Sequence, residues 1–182
     1  MSLKLTFKKK KINIIRFGTK LGPMVACATK KGICLLEFTD RRMLETEFQD
    51  LCIRLDAVIL PGENKHIDQV QVQVAEYMEG TRKYFDIPID VSGTEFQKSV
   101  WEILMQIPYG KTWSYKQQAE KLNKPKAVRA VASANKNNRI AVIIPCHRVI
   151  GSDGKLTGYG GGLSRKKRLL DLEKKYSKRN TK

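Results

Sequence analysis

Apolar positions along this chain repeat in two different ways, and the change from one to the other divides it. Residues 11–17 and 24–28 read as strands, and the second continues through Thr29-Lys30-Lys31-Gly32 into residues 33–38 as a hairpin. Leu44, Phe48, Leu51, Cys52 and Leu55 then recur at helical spacing, as do Ile67, Val70, Val74, Tyr77 and Met78. Residues 84–91 read as an extended segment that Pro88 places at an edge or outside a sheet.

From Ser92 onward the pattern is helical. Thr94 followed by Gln97 is a capping box that opens a helix through Phe96, Val100, Trp101 and Leu104, with a stop at Pro108-Tyr109-Gly110. A second box, Ser114 with Gln117, opens a short helix to about Leu122, and Asn123-Lys124-Pro125 turns the chain into a third. Two short helices joined by a tight turn predict a helix-turn-helix. The third helix, residues 125–136, should bury Ala127, Ala130, Val131 and Ala134 and expose Lys126, Arg129, Ser133 and Lys136. Residues 140–144 form a continuous apolar run, read as a buried strand or extended segment that ends at Pro145. The expected class is α+β: a small α/β half with an antiparallel sheet over residues 1–91, then a mainly helical, helix-turn-helix half over residues 92–182.

Charge adds direction to this division. The chain of 182 residues carries a formal net charge of +17. Residues 1–91 hold 15 Lys and Arg against 12 Asp and Glu, a net +3, and residues 92–182 hold 20 against 6, a net +14. Such an excess repels itself unless it meets a polyanion, so the second half carries the anion-binding face. Charge alone does not separate DNA from RNA or from an acidic membrane surface, and runs such as residues 8–11 and 174–182 also fit solvated tails. No apolar run reaches the roughly 18 residues of a bilayer span, and the lysine-rich start lacks a signal-peptide core. A soluble, cytoplasmic protein is expected, nuclear in a eukaryotic source.

The candidate chemistry lies at one thiol. Cys27, Cys34, Cys52 and Cys146 are irregularly spaced without a CxxC pair, and the only histidines are His66 and His147, so neither a disulfide framework nor a zinc finger is expected. Cys146-His147 sits directly after Pro145, where an imidazole could help generate a thiolate nucleophile. A lone cysteine also fits a small buried hydrophobe, and the string around it decides between the two.

Ile144-Pro145-Cys146-His147-Arg148-Val149 resembles the active-site signature of O6-alkylguanine-DNA alkyltransferases. The resemblance extends over residues 93–175 through Gly93-Thr94-Glu95-Phe96-Gln97, Val100-Trp101, Ser114-Tyr115, residues 124–131, Asn138, Gly158-Tyr159, Gly161-Gly162-Leu163, Leu169-Leu170 and Glu173. It implies a winged-helix-like second domain that binds the minor groove of double-stranded DNA, flips out O6-alkylguanine, and passes the alkyl group irreversibly to Cys146, once per molecule. O4-alkylthymine is a second candidate substrate. Flipping fits the chemistry, because a sulfur cannot approach the alkyl carbon in line inside a base stack.

The same resemblance implies roles for other residues. Arg129 would fill the vacated stack, with Lys126, Ala127, Ser133 and Ser114 against DNA. Tyr115 would crowd the phosphate, Tyr159 and Gly160 would line the alkyl pocket, and Asn138 would order the loop before Cys146. A relay would run from Cys146 through a water to His147 and Glu173. Independently, Glu173 falls at about 100° per residue between Leu169, Leu170 and Tyr176, in the middle of an apolar helix face where a carboxylate needs a partner. Several relatives carry a serine where this chain has Gly160, so stabilisation of the leaving group there would fall to backbone N–H groups or to Tyr115. No metal and no cofactor are expected, and the protein should be a monomer.

Other readings stay in view. A non-catalytic alkyltransferase-like lesion binder would lack the acceptor cysteine, which is present. A cysteine hydrolase would leave the basic helix-turn-helix idle, and a sequence-specific regulator would need more base-reading side chains than an alanine-rich helix offers. If the +14 half makes about six or more phosphate contacts, affinity for undamaged duplex should fall about 10³-fold or more between about 50 and 200 mM salt, with little preference among sequences. Fluorescence anisotropy over a salt series checks this, and a flat salt response would overturn it.

Overall fold

The computed structural model describes residues 9–177. Of the basic runs at residues 8–11 and 174–182, Lys8 and residues 178–182 lie outside them. Four strands, β1 (Lys10–Phe17), β2 (Met24–Ala28), β3 (Ile33–Phe38) and β4 (Ala57–Pro61), form one sheet in the order β3-β2-β1-β4. The β2–β3 hairpin forms where the pattern places it, and every residue of both strands is buried. The sheet is mixed, not wholly antiparallel, because β4 pairs parallel with β1. Its five residues, Ala-Val-Ile-Leu-Pro, show no alternation to mark them as a strand, and they follow helix α1 (Leu44–Leu55), which carries the chain back across the sheet. Residues 84–91 run beside β3 with a single parallel bridge, Ile33 to Ile89.

Helix α2 (Lys65–Glu79) buries the stripe expected of it, Ile67, Val70, Val74, Tyr77 and Met78, against the other sheet face. Gly80 ends it at φ 78°, and a Cβ there would meet the Tyr176 ring at 2.2 Å. Both capping boxes are present: Thr94 opens α3 (Glu95–Met105) and Ser114 opens α4 (Tyr115–Lys121). A 3₁₀ turn (Pro125–Ala127) leads into α5 (Val128–Lys136). Ala130 is exposed and Asn135 buried, so the packed stripe of α5 is Val128, Val131, Ala134 and Asn135 rather than one that includes Ala127 and Ala130. The reason is polar. Gln118 of α4 and Asn135 exchange two amide hydrogen bonds, 2.7 and 3.1 Å, and Gln118 also donates to Val100 O at 3.2 Å. Fully satisfied inside the core, that pair fixes the roll of α5 and turns its small residues outward.

Residues 140–144 are not a strand. After one bridge from Ile140 to Leu36 the chain turns, with Val142 at φ 72° and buried. A β-branched residue in the left-handed region is strained, so surrounding contacts must impose that turn. A 3₁₀ turn (Cys146–Arg148) follows, then β6 (Val149–Ile150), which pairs parallel with β5 (Trp113–Ser114) before α6 (Leu163–Ser177) closes the chain. One core cluster joins β2, β3, α2, α3, α5 and α6, so the sheet and the helical half share an interior. Gly80→Ala should therefore destabilise the protein by about 2 kcal/mol, from the left-handed φ and the aromatic overlap together. Urea unfolding checks this, and an unchanged midpoint would show that Tyr176 moves aside freely.

Candidate active site

The strained turn delivers Cys146 to the wall of a cavity of about 560 Å³, also lined by Arg41, Tyr115, Ala132, Asn135, Tyr159 and Gly160. Asn138 holds the turn together. Its side-chain oxygen accepts from Ile140 N at 3.0 Å, while its amide donates to Ile144 O at 2.9 Å and to Cys146 Sγ at 3.2 Å. The other cysteines contribute no thiol to this cavity, and burial raises both Cys27 and Cys34, the latter to about 12.

Behind Cys146, Glu173 is fully buried and is the centre of a network. His147 Nε2 lies 2.7 Å from its Oε1, and Arg148 Nε donates to both carboxylate oxygens at 3.0 Å. Tyr77 Oη donates to Oε1, and Gly110 N donates to Oε2 at 2.8 Å. With Nε2–H donating to the carboxylate, His147 Nδ1 is left as an acceptor, buried and without a protein partner. The pairing that the helix phase of Glu173 predicts is present in the geometry, and two of its partners were not foreseen. Tyr77 reads in sequence as an ordinary member of an apolar stripe. Arg148 lies next to the Cys-His pair, and its basic side chain suggests solvent rather than the interior, where it also donates to Ile107 O at 2.7 Å.

These partners change the electrostatics. Burial opposes ionisation of Glu173, but the hydrogen bonds and charges of His147 and Arg148 hold its pKa down to about 2. Burial lowers His147 in spite of Glu173, so the imidazole is the neutral, accepting form near pH 7. The guanidinium of Arg148 already compensates the carboxylate, so Glu173 orients the ring more than it favours imidazolium. Cys146 is not the resting thiolate that a neighbouring imidazole could help generate. Burial pushes its thiol up to about 11, only partly offset by the Asn138 hydrogen bond and by Arg41 and Lys166. Near pH 7 Cys146 therefore rests as a thiol, and the adjacent His147 offers a buried Nδ1 acceptor without a protein partner.

The remaining predicted residues separate into two places. Tyr115 and Tyr159 face the cavity, Tyr115 Oη donating to Thr157 O at 3.3 Å, and the Tyr159 ring stands edge-on to His147 at 6.4 Å. Lys126, Arg129 and Ser133 are exposed on or just before α5 and do not line the cavity, and Ala127 is half-buried at the end of the 3₁₀ turn. The Ser114 hydroxyl is engaged in capping α4. Lys166, which the sequence does not single out, is fully buried and donates to the carbonyls of Val149, Thr157 and Gly158 at 2.5, 2.6 and 3.0 Å, pinning the loop that carries Tyr159.

Fold and site together define a class: a sheet-buttressed helix-turn-helix protein with one pocket thiol backed by a buried His-Glu-Arg network. The family model described as 6-O-methylguanine DNA methyltransferase, DNA binding domain, matches residues 95–175. The inducible methylated-DNA–protein-cysteine methyltransferase of Bacillus subtilis (strain 168) is 41% identical over 150 residues, 82% of this chain and 83% of the relative. The methylated-DNA–protein-cysteine methyltransferase of Methanosarcina barkeri is 44% identical over 153 residues, 84% of this chain and 91% of the relative. The crystal structure of Mycobacterium tuberculosis OGT in complex with DNA superposes with a TM-score of 0.77 at 37% identity, covering 90% of this chain and 94% of that one. The chain belongs to the methylated-DNA–protein-cysteine methyltransferase family.

The depressed pKa of Glu173 makes a claim about stability. Its contribution is present above the usual carboxylate value of 4.5 and is lost as pH falls from there through about 2. That loss is on the order of 3 kcal/mol for the wild type. Glu173→Gln should lack this acid limb and be less stable at pH 7 by about 3 kcal/mol or more, because Arg148 keeps its buried charge without a counter-ion. Urea unfolding at a series of pH values tests it, and matching pH profiles for the two proteins would contradict the assignment.

Proposed function

We propose that this protein repairs DNA by direct reversal, taking the alkyl group of a flipped-out O6-alkylguanine onto Cys146 in a single, irreversible turnover. The observation that carries the reading is the placement of Cys146: the one thiol on the cavity of about 560 Å³, delivered by a strained turn and followed directly by His147, whose oriented imidazole keeps a buried Nδ1 acceptor without a protein partner. In the reaction, water would carry the Cys146 proton toward Nδ1 as the base arrives. The S–C bond then forms as the C–O6 bond breaks, and Tyr115 stands at the cavity edge to bear on the flipped nucleotide.

The two halves divide the work, with residues 1–91 as a buttress and residues 92–182 as the DNA-binding and acceptor domain. The helix α5 enters the minor groove with small residues outward. A helix about 10–12 Å across approaches a groove of about 6 Å only if its facing side chains are small and the groove opens. The exposed Ala130 and Ser133 supply that face, with Arg129 positioned to enter the base stack and Lys126, Ala127 and Ser114 near the backbone. No helix among the described residues is long and apolar enough to cross a membrane, and we place the protein in the cytoplasm as a monomer.

The reaction should be stoichiometric, because a thioether is a poor leaving group and no second thiol shares the cavity. Duplex DNA with a labelled O6-methylguanine should transfer one label per protein, found on Cys146 by peptide mass mapping. Cys146→Ser should bind the same DNA and take up none. Turnover beyond one equivalent, or label elsewhere, would overturn the reading.

A further inference from the structure

Arg41 belongs to the turn after β3, yet its side chain is only 5% exposed and ends at the cavity wall. Its donors are nearly all engaged. Nε donates to Glu47 Oε1 at 2.9 Å, Nη1 to Glu37 Oε1 at 3.0 Å, and Nη2 to the Lys136 carbonyl at 2.8 Å, with Glu47 Oε1 also 2.7 Å from Nη2. Three elements, β3, α1 and the end of α5, therefore aim one guanidinium. A guanidinium carries five N–H hydrogens, and these contacts leave one, on Nη1, uncommitted. That nitrogen lies against Gly160: a Cβ built on Gly160 would lie 1.6 Å from it. Arg41 thus fills the space that a side chain at position 160 would occupy, on the same cavity as Cys146.

Alkyl transfer leaves an electron pair on the guanine oxygen, and a preorganised donor at that oxygen lowers the barrier. Of the neighbouring buried donors only the Tyr159 hydroxyl also lacks a protein partner, and a phenol brings no positive charge to a developing anion. Lys166 gives its hydrogen bonds to three carbonyls, Tyr115 donates to Thr157 O, and Arg42 and Lys136 are exposed at the mouth. We propose that Arg41 is a catalytic residue of the transfer, its free Nη1–H donating to the departing guanine oxygen from the place where Gly160 has no side chain. This rests on the alkyl-transfer reading above. In the step, sulfur bonds to the alkyl carbon, the C–O6 pair stays on guanine as an anion shared between O6 and N1, and a solvent proton then neutralises it. Arg41 remains protonated throughout.

The test compares two alkylating reagents on the full chain. Arg41→Ala should slow single-turnover transfer from free O6-benzylguanine by about 10²-fold, while iodoacetamide, whose iodide needs no donor, should lose only the smaller factor by which the missing Arg41 charge makes the Cys146 thiolate scarcer. Adding Gly160→Ser to Arg41→Ala places a hydroxyl in the vacated space and should recover part of the benzyl transfer. Because Arg41→Ala leaves Glu37 and Glu47 without their cation, Glu37→Gln/Arg41→Met/Glu47→Gln is measured alongside, with thermal unfolding to confirm the fold. Equal losses with both reagents, or no loss with benzylguanine in a folded variant, would overturn the role. A wild-type protein that takes no benzyl group onto Cys146 would instead sink the alkyl-transfer reading itself.

Discussion

The buried carboxylate of Glu173 is the constraint on which the rest of the site depends. It is reached from four directions at once: Tyr77 on α2, Gly110 in the loop after α3, and His147 and Arg148 in the turn that carries Cys146. A carboxylate removed from water is tolerable only if its lone pairs are filled and its charge compensated, so none of these groups can be displaced cheaply. One side chain of α6 thereby sets the position of the sheet-side helix α2, the loop before β5 and the ring orientation behind the thiol. Deleting any partner leaves another buried polar group unpaired, which makes the arrangement all-or-none.

Much of this is legible in the sequence, for identifiable reasons. The capping boxes at Thr94 and Ser114 and the stripe of α2 are local signals, and the local physics alone produces them. Glu173 is legible because a lone charge in an apolar helix phase is conspicuous. What local pattern cannot carry is the partner across the fold. Gln118 and Asn135 read as surface residues until they are seen to satisfy each other, and that pairing rotates α5 so that Ala130 faces out. The run at residues 140–144 has the composition of a strand, but Asn138 and the Leu36 backbone fold it into a turn that no periodicity announces. Strand β4 is hidden for a different reason, as a half-exposed edge strand that is apolar throughout and shows no alternation.

The sheet half is more than a support. Burial with one basic and two acidic side chains is expensive to arrange, and the Glu37–Arg41–Glu47 group comes entirely from that half. Burial raises Glu37 to about 8, partly offset by Arg41. Its nearest consequence is at the cavity, since Arg41 also donates to the carbonyl of Lys136 at the end of α5. The least chemically marked part of the sequence therefore supplies a charge at the site where the chemistry is read, through residues whose spacing, at i, i+4 and i+10, gives no motif.

A cysteine held near pKa 11 is a poor reagent for an enzyme that must turn over at neutral pH, and this bears on why a single turnover suits the site. The desolvation that makes the thiolate scarce also makes it reactive once formed, because a sulfur anion without hydration gains most by losing its charge. Alkylation converts it to a neutral thioether, the state that its half-buried place beside Tyr159, Ala132 and the Asn138 amide tolerates best. The same burial that favours the product also disfavours any route back, since regeneration would have to expel a thiolate into that environment. In the proposed reaction, environment and outcome agree: a pocket that resists charge on sulfur drives one transfer forward and leaves no path for a second.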